Sequence, residues 1–243
     1  MNTTARANDS RLWAIALGLA IAAGLAAAGW FVAQGMYALR AADRVVAVKG
    51  LAEREVPADV GVWPVVFTVS GDELDRLQAD IDSTFAKVLE FLAGHGLPAA
   101  ETYRSVPRIT DLRAQSYGSP NPPPYRYLAE ATLTLRTSSI GAMKAAMEDA
   151  GTLVGRGVVM VRSYEAQPQF LFTGLDRIKP EMIAEATRDA RRAAQQFAQD
   201  SGSSVGAIRS ARQGYFSVED RDAFTPEYKV VRVVTGVEYF LAD

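Results

Sequence analysis

The first pattern along the chain is a long apolar run, from Leu12 to Leu39, that contains no charged residue. An α-helix rises about 1.5 Å per residue, so roughly 20 residues suffice to cross the hydrocarbon core of a bilayer. The run therefore predicts one transmembrane helix that contacts the inner membrane through residues 12–39. Aromatic side chains, which favour the membrane interface, lie near its ends: Trp13, Trp30, Phe31 and Tyr37.

A secretory signal peptide is the alternative interpretation of this run. The apolar core of a signal peptide usually has about 7–15 residues, which is shorter than the run found here. The sequence Ala26-Ala27-Ala28 is nonetheless small enough for a signal peptidase. Residues 1–40 are therefore assigned as an N-terminal membrane anchor or an uncleaved signal, and whether the segment is cleaved stays open.

The charges that flank the run indicate its orientation. Positively charged residues are more frequent on the cytoplasmic side of a membrane helix. The balance, which includes the amino terminus, slightly favours a cytoplasmic N-terminus. In a bacterial cell, this orientation predicts a single-pass protein of the inner membrane with its C-terminal domain in the periplasm or the exterior, and the periplasm is the location that we assign. The flanking charges are Arg6, Asp9 and Arg11 before the run, and Arg40, Asp43 and Arg44 after it.

Alternating apolar and polar positions predict β-strands in the rest of the chain. Period-two alternation is visible at residues 63–69, 127–135 and 231–241, and it indicates strands with one buried face and one solvated face. Residues 45–56 form a further predicted strand. Pro57 ends that strand and Asp59 begins the next one, so these two strands are predicted to form a hairpin.

Apolar residues that repeat every three or four positions predict a helix after the second strand. The stripe begins at Leu74 and ends at Leu92. Ser70 and Glu73 have the spacing of a capping box, in which the side chain of each residue accepts a hydrogen bond from the backbone N–H of the other. Gly94 is predicted to stop the helix at its C-terminus.

Two further helices follow from the same rule. A short one is predicted between Ser139 and Gly151. A longer one is predicted to have Pro180 in its first turn, where proline is tolerated, and to end before Gly202. The apolar stripe of the longer helix consists of Met182, Ile183, Ala186, Ala190, Ala193, Phe197 and Ala198.

The predicted elements follow the order β β α β, a proline-rich loop, and then β α β α β β. Strands and helices mix without the regular alternation that a doubly wound parallel sheet requires. The sequence therefore predicts an α+β fold of antiparallel sheets with packed helices, preceded by one N-terminal transmembrane helix. Residues 41–243 are predicted to form the α+β domain.

Composition removes several classes of function. The chain has 243 residues and no cysteine, so disulfides, thiolate zinc sites and a cysteine nucleophile are excluded. From residue 41 onward it has 23 basic and 27 acidic side chains, a net charge of −4. This charge argues against binding to nucleic acid, which requires a basic surface.

No motif in the sequence indicates a catalytic, cofactor-binding or metal site. His95 is the only histidine, which disfavours a histidine metal site or a catalytic triad, and it is predicted to be exposed after a helix. Glu219, Asp220 and Asp222 lack the spacing of a calcium loop and are predicted to lie in a solvated loop. We therefore expect that the protein is not an enzyme and has no cofactor.

The segment that we expect to be functional surrounds a proline-rich loop at residues 113–125. Aromatic side chains that are exposed together often form contact surfaces, although a packed flap is the alternative interpretation. The irregular stretch from Tyr103 to Leu112, interrupted by Pro107, is predicted to be an edge strand. An interface between copies in a homo-oligomer is predicted at six residues: Tyr103, Tyr117, Pro122, Pro123, Tyr125 and Tyr127.

Several stretches resemble proteins of the SIMPL-domain family. Residues 48–59, with the sequence VKGLAEREVPAD, are similar to the family's opening strand, with its small glycine-containing turn and its Val-Pro-Ala-Asp corner. Residues 125–135 are similar to its central strand, residues 184–198 to its alanine-rich late helix, and residues 207–210 to the strand that follows. The resemblance extends from Arg44 to Leu241 and rests on the order of these stretches.

The resemblance implies an α+β periplasmic domain that is oligomeric and has no established enzymatic activity. The family includes periplasmic oxidative-stress-defence proteins and a periplasmic immunogenic protein that forms ring-like assemblies, and it supplies no catalytic residues. We therefore expect a membrane-anchored, non-catalytic, homo-oligomeric assembly module in envelope homeostasis or stress defence, whose protein partner the sequence does not identify. The alternative is a periplasmic protein that binds a small molecule in a pocket between sheet and helices.

Overall fold

The computed structural model describes residues 4–42, 44–115, 123–161 and 166–242. These residues form an α+β fold with antiparallel sheets and packed helices, as the sequence predicts. The helices are α1 (Thr4–Ala42), α2 (Leu74–Gly94), α3 (Leu112–Gln115), α4 (Ile140–Asp149), α5 (Thr152–Gly155) and α6 (Leu175–Asp200). The strands are β1 (Val45–Pro57), β2 (Val60–Gly71), β3 (Thr102–Arg104), β4 (Arg108–Asp111), β5 (Tyr127–Thr137), β6 (Val159–Met160), β7 (Gln169–Leu171), β8 (Ser204–Asp220) and β9 (Tyr228–Ala242).

Helix α1 contains the apolar run that opens the chain. Its stretch from Leu17 to Met36 has 20 residues and is long and apolar enough to cross a membrane. Every side chain of this stretch is exposed in the isolated chain. Such a helix fits a single-pass membrane anchor, and the same length and composition fit a signal sequence.

Contacts between residues divide the chain into two compact units. The division cuts across strands β1, β8 and β9 and helix α6, so it differs from a simple boundary along the sequence. The predicted separation of residues 1–40 from residues 41–243 stays a prediction. The first unit contains Met1–Ala52, Glu181–Tyr215 and Val233–Asp243, and the second contains Glu53–Pro180 and Phe216–Arg232.

The larger core belongs to the second unit and lies between a six-stranded sheet and helix α2. The sheet has the order β3-β5-β2-β6, with β4 also paired to β5 and β7 to β2. Strands β2 and β5 pair antiparallel from Gly61 opposite Thr137 to Gly71 opposite Tyr127. The odd-numbered apolar residues of both strands are buried against the apolar stripe of α2, as their periods predict. The buried residues on these faces of the two strands and of α2 include Trp63, Phe67, Leu133, Leu135, Leu77, Ile81, Phe85 and Leu92.

Helix α2 ends at Gly94 as predicted, whereas its N-terminus differs from the prediction. Glu73 is the N-cap residue and makes no capping hydrogen bond through its side chain, while Ser70 still belongs to β2. The predicted capping box is therefore wrong, because the strand continues into the positions that a cap needs. Gly94 is the last helical residue, and the C-cap is His95. Gly96, with a φ of 76°, supplies the left-handed residue that follows the helix.

The predicted hairpin between β1 and β2 is wrong. Strand β1 pairs with β9 in a three-stranded sheet of order β1-β9-β8, whereas β2 pairs within the six-stranded sheet. The corner between them is held by contacts distant in sequence. The Ala58 N–H donates to the Glu227 carbonyl oxygen at 2.8 Å, and the Thr173 N–H donates to Asp59 Oδ1 at 2.8 Å. These contacts direct the chain from one sheet to the other. Because they join residues that are distant in sequence, no local sequence pattern indicates them.

Strand β1 and helix α6 approach each other closely in the first unit. The family resemblance predicts a turn at Gly50, and this is wrong, because β1 continues through it. A Cβ atom at Gly50 would lie 1.9 Å from the Ala186 carbonyl oxygen and 2.4 Å from the Ala190 amide nitrogen. Glycine is therefore required here by the proximity of the helix backbone. Small side chains allow this approach, and the fully buried alanines of α6 are Ala186, Ala190, Ala194 and Ala198.

Helix α6 begins earlier than predicted. It starts at Leu175, so Pro180 lies inside the helix and not in its first turn. The first two turns carry no fully buried residue, and the apolar period therefore becomes visible only from Met182 onward. Phe197, which was predicted to lie on the buried stripe, is 62% exposed. The strand that follows is β8, which has 17 residues where residues 207–210 were predicted.

Candidate interaction surface

Strands β3 and β4 form one edge of the six-stranded sheet, as the sequence predicts. Both pair antiparallel with β5, with Tyr103 opposite Thr134 in β3 and Ile109 opposite Ala129 in β4. Ser105 keeps the chain attached to β5 between the two strands, because its N–H donates to the carbonyl oxygen of Thr132 at 2.9 Å. The edge is thus two short strands separated by the segment that contains Pro107, and not one long strand.

Three apolar or aromatic side chains along this edge are exposed to solvent. Tyr103 is 79% exposed and Val106 is 92% exposed, and Ile109 is also exposed. The sequence analysis singled out Tyr103 but missed Val106 and Ile109. The Val106-Pro107 pair was the available signal, because proline is confined to the edges of sheets and keeps the residue before it extended, which places Val106 at an edge. We define Tyr103 and Val106 as the edge patch. Ile109 pairs opposite Ala129 whereas Tyr103 pairs opposite Thr134, so Ile109 lies on the other face of the sheet from Tyr103.

The proline-rich loop joins this edge to β5, and a cluster of charged residues ties its two ends together. Arg113, before the loop, donates from Nη2 to Asp72 Oδ1 at 3.1 Å. The backbone N–H of Arg126, after the loop, donates to the same oxygen at 3.0 Å. The Arg126 guanidinium donates from Nε to Asp111 Oδ2 at 3.0 Å. We call these four residues, Asp72, Asp111, Arg113 and Arg126, the loop clamp.

The charges of the loop clamp stabilise each other's ionised forms. The hydrogen bond from Arg126 holds the pKa of Asp111 below its usual range, and the backbone N–H groups of Ala114 and Arg113 act in the same direction. The pKa of Arg126 is raised by the same contact with Asp111. The guanidinium of Arg126 also lies over the ring of Tyr127, 4.8 Å from its centroid. This cation–π contact orients the first residue of β5.

The four predicted interface residues that the structure describes do not form one cluster. Tyr103 lies opposite Thr134, whereas Tyr127 lies at the start of β5, seven residues away. At about 3.3 Å per residue, this places them roughly 23 Å apart along the sheet. Tyr125 and Pro123 are half-buried beside Tyr127, which packs against the core. Tyr117 and Pro122 lie outside the described residues.

The only histidine has a structural role that the sequence did not predict. His95 was predicted to be exposed, but it is half-buried at the end of α2. Its Nδ1 lies 2.9 Å from the Phe91 carbonyl oxygen, and its ring centroid lies 4.5 Å from that of Phe91. Its Nε2 lies 3.4 Å from Asp149 Oδ2. These contacts connect α2 to the end of α4.

The three acidic residues near the C-terminus have structural positions that explain their presence. Glu219 and Asp220 end strand β8, so their predicted position in a loop is wrong, while Asp222 lies in the turn that follows. Hydrogen bonds from the Thr225 hydroxyl and the Phe224 N–H hold the pKa of Asp222 far below its usual range. Among the residues that the structure describes, no group of three or more potential metal ligands occurs.

The six-stranded sheet also borders an open cleft of about 670 Å³. The cleft lies beside β6 and β7, and its walls combine residues of β2 with residues of helix α4. Its volume is within the range of about 300–1,000 Å³ that small-molecule pockets have. Most of its lining is apolar, and it includes Trp63, Pro64, Val66, Met147, Met160 and Pro168.

Comparison with known proteins gives one finding about the whole domain. A search of curated proteins gives no match to this chain. The model of the SIMPL family, described as a protein of unknown function (DUF541), matches residues 46–234. The match begins in β1, ends within β9 and includes strands of both sheets. The chain therefore belongs to the SIMPL family.

Proposed function

We propose that this protein is a non-catalytic assembly module, anchored in the inner membrane by α1 and extending into the periplasm. Copies of the chain associate through exposed side chains of the domain and present a multivalent surface in envelope homeostasis or stress defence. The envelope role comes from the properties that the family resemblance implies. The proposed association between copies rests on the exposed edge patch and on the attachment to the membrane.

Membrane attachment makes weak contacts between copies effective. A helix that crosses the bilayer confines every copy to the same plane and orientation, which raises the effective concentration for lateral contacts. Helix α1 also contains Ala20, Gly24 and Ala28 at four-residue intervals. Small residues at this spacing permit close packing of two membrane helices. The anchor thus favours association even when each contact in the domain is weak.

The observation that carries the proposal is the exposure of the edge patch. Tyr103 and Val106, three residues apart on this edge, are 79% and 92% exposed, and an exposed apolar surface at a sheet edge is a candidate for contact with a partner. The loop clamp holds the adjacent loop ends in one arrangement, so little conformational freedom is lost when that region becomes buried. The segment around Pro107 interrupts backbone pairing at this edge. The contact is therefore made by side chains, with Tyr103 and Val106 as the central apolar residues.

The test is sedimentation velocity of the full-length protein in detergent. We expect an oligomer in the wild type, and a weaker oligomer after Val106→Asp and after deletion of residues 119–124, with an unchanged circular dichroism spectrum. Val154→Asp is the matched control, because Val154 is also an exposed valine but lies on α5, away from the patch. A monomeric wild type, or equal effects of Val106→Asp and Val154→Asp, would contradict the proposal.

Binding of a small molecule is the second candidate function, and the cleft beside β6 and β7 favours it. Its lining includes Trp63, Met147 and Met160, and such an apolar lining suits an apolar or aromatic ligand. Native mass spectrometry tests this alternative directly. A monomeric protein that retains a ligand of defined mass, and loses it after Met160→Asp with an unchanged circular dichroism spectrum, would favour ligand binding over assembly.

A further inference from the structure

The sheet edges of this chain differ in how they are protected from pairing with other chains. An exposed edge strand leaves a row of free N–H and C=O groups, and proteins usually interrupt or cover it. At the β3–β4 edge, the strands have three and four residues and are separated by Pro107. At the β1 edge, the side chain of Asp189 on α6 accepts the Leu51 N–H at 3.0 Å. Both edges are therefore protected from pairing with another chain.

Strand β8 has neither protection. It has 17 residues, contains no proline, and has β9 as its single neighbour in the three-stranded sheet. Within the described part of the chain, no other element forms a backbone hydrogen bond with it beyond the turn into β9. Tyr215, in the middle of the strand, is 100% exposed. A strand of this length and exposure is a template for addition of another strand.

The charges of β8 are arranged so that the strand complements itself. Its first half carries Arg209 and Arg212, and its last residues include Glu219. In the described structure these three exposed side chains make no ion pair or hydrogen bond. Two copies aligned parallel would place like charges opposite each other. Two copies aligned antiparallel place the basic half of one strand against the acidic end of the other.

We propose that β8 pairs antiparallel with β8 of a second copy, about a twofold axis at Gly214. This register sets Arg209 of each copy opposite Glu219 of the other copy, twice in one interface. It also sets Tyr215 next to Gln213 of the other copy, which covers an exposed aromatic ring. The three-stranded sheet of each copy becomes half of a continuous six-stranded sheet. The contact is isologous, so it joins two copies and then closes.

This inference rests on the proposed function, because it specifies a second contact between copies that the assembly uses. The two contacts have different consequences. A twofold contact at β8 by itself gives only dimers. Assemblies larger than a dimer require another surface, for which the edge patch is available. Loss of the β8 contact therefore reduces the size of the assembly, and does not abolish association through the edge patch.

The absence of cysteine in the chain permits a direct test by disulfide formation. The register places Ala211 of one copy opposite Ser217 of the other. Residues directly opposite in antiparallel strands have Cβ atoms about 4.5–5.5 Å apart, close to the separation that a disulfide needs. Within one copy these residues are six positions apart on an extended strand, roughly 20 Å, and cannot be bridged.

We expect the full-length double variant Ala211→Cys/Ser217→Cys to form a covalent dimer in detergent under mild oxidation, visible on a non-reducing gel. The single variants Ala211→Cys and Ser217→Cys are matched controls and are expected to remain monomeric on the same gel. Equal cross-linking in the single and double variants would overturn the register. An oligomer that persists while the double variant gives no covalent dimer would overturn pairing at β8 and leave the proposed function intact.

Charge reversal gives an independent measurement with a built-in check on folding. Arg209→Glu and Glu219→Arg each place like charges opposite each other twice per interface. Each is expected to raise the dissociation constant of the dimer at least about tenfold in sedimentation experiments. The double reversal restores opposite charges and is expected to return within about threefold of the wild type. Failure of the double variant to recover, while its circular dichroism matches the wild type, would overturn the proposal.

Discussion

Replacement of Gly50 by alanine tests the close approach of helix α6 to strand β1. The added Cβ would lie 1.9 Å from the Ala186 carbonyl oxygen, 2.4 Å from the Ala190 amide nitrogen and 2.9 Å from the Ala190 Cα. Real Cβ contacts essentially never fall below 3.0 Å. All three atoms are backbone, so no side chain can turn away. The helix must retreat from the sheet by about 1 Å, or β1 must bend.

The size of the effect follows from what this displacement disturbs. Ala186, Ala190 and Ala194 are fully buried where α6 meets the sheet. A gap of 0.5–1 Å at a packed surface already forfeits about a quarter to a half of each dispersion contact there. Overpacking a core usually costs about 1–3 kcal/mol, and a clash with helix backbone belongs at the upper end. We therefore expect Gly50→Ala to lower the free energy of unfolding by about 3 kcal/mol.

The measurement is urea denaturation of the full-length protein in detergent, followed by circular dichroism, with the slope of the transition compared between variants. Gly236→Ala is the matched control, because it lies in β9 of the same sheet and its Cβ would meet only the Arg212 carbonyl oxygen at 3.8 Å. That substitution is expected to be neutral or to stabilise by up to about 1 kcal/mol. Equal midpoints for the two variants would refute the role assigned to Gly50.

Three further predictions concern the core, the topology and the pH dependence. Phe85→Ala is expected to destabilise the protein by about 3–5 kcal/mol, because Phe85 is buried against Phe67 with ring centroids 4.9 Å apart. Glu90→Ala, on the exposed face of the same helix, is expected to change stability by less than about 0.5 kcal/mol, and equal denaturation midpoints would contradict this assignment. A reporter that is active only in the periplasm, fused after Asp243, is expected to be active, whereas activity of a cytoplasmic reporter alone would contradict the proposed orientation. The Leu51 N–H and Arg192 hold the pKa of Asp189 below its ordinary 3.8. The stability that they confer is therefore complete above about pH 4 and decreases as the pH falls through the pKa of the folded state. In acid denaturation curves below pH 4, Asp189→Asn is expected to show a smaller loss of stability than the wild type, and parallel curves would count against this linkage.

The elements that the sequence predicts well are those with a periodic burial pattern. The stripe of α2 and the alternation in β2, β5 and β9 each reflect a single face packed on one core, and this constraint is visible residue by residue. The order of strands and helices follows from the same patterns. Which strands pair with each other does not follow from these patterns. Ala58 and Glu227 form a backbone contact that helps to separate β1 from β2, and they are remote in sequence.

The candidate surface was harder to predict because sequence proximity does not give distance within a sheet. Tyr103 and Tyr127 frame the same loop, yet antiparallel pairing places them far apart along β5. The helix α6 presented a related difficulty. Alanine contributes little to a hydrophobic pattern. The buried stripe of α6 therefore appears broader in the sequence than it is in the structure, and the prediction included Phe197. The need for Gly50 becomes visible only when the helix lies against the strand.

The loop clamp makes the proline-rich loop a suitable place for insertions into this protein. Asp72 and Asp111 fix both ends of the loop through Arg113 and Arg126, independently of the residues between them. Lengthening a surface loop costs little free energy, about 0.6 kcal/mol for each doubling of its length. An epitope tag or a small fluorescent domain placed between residues 119 and 122 would thus leave the sheet intact. Such a chain could report where the protein resides in living cells.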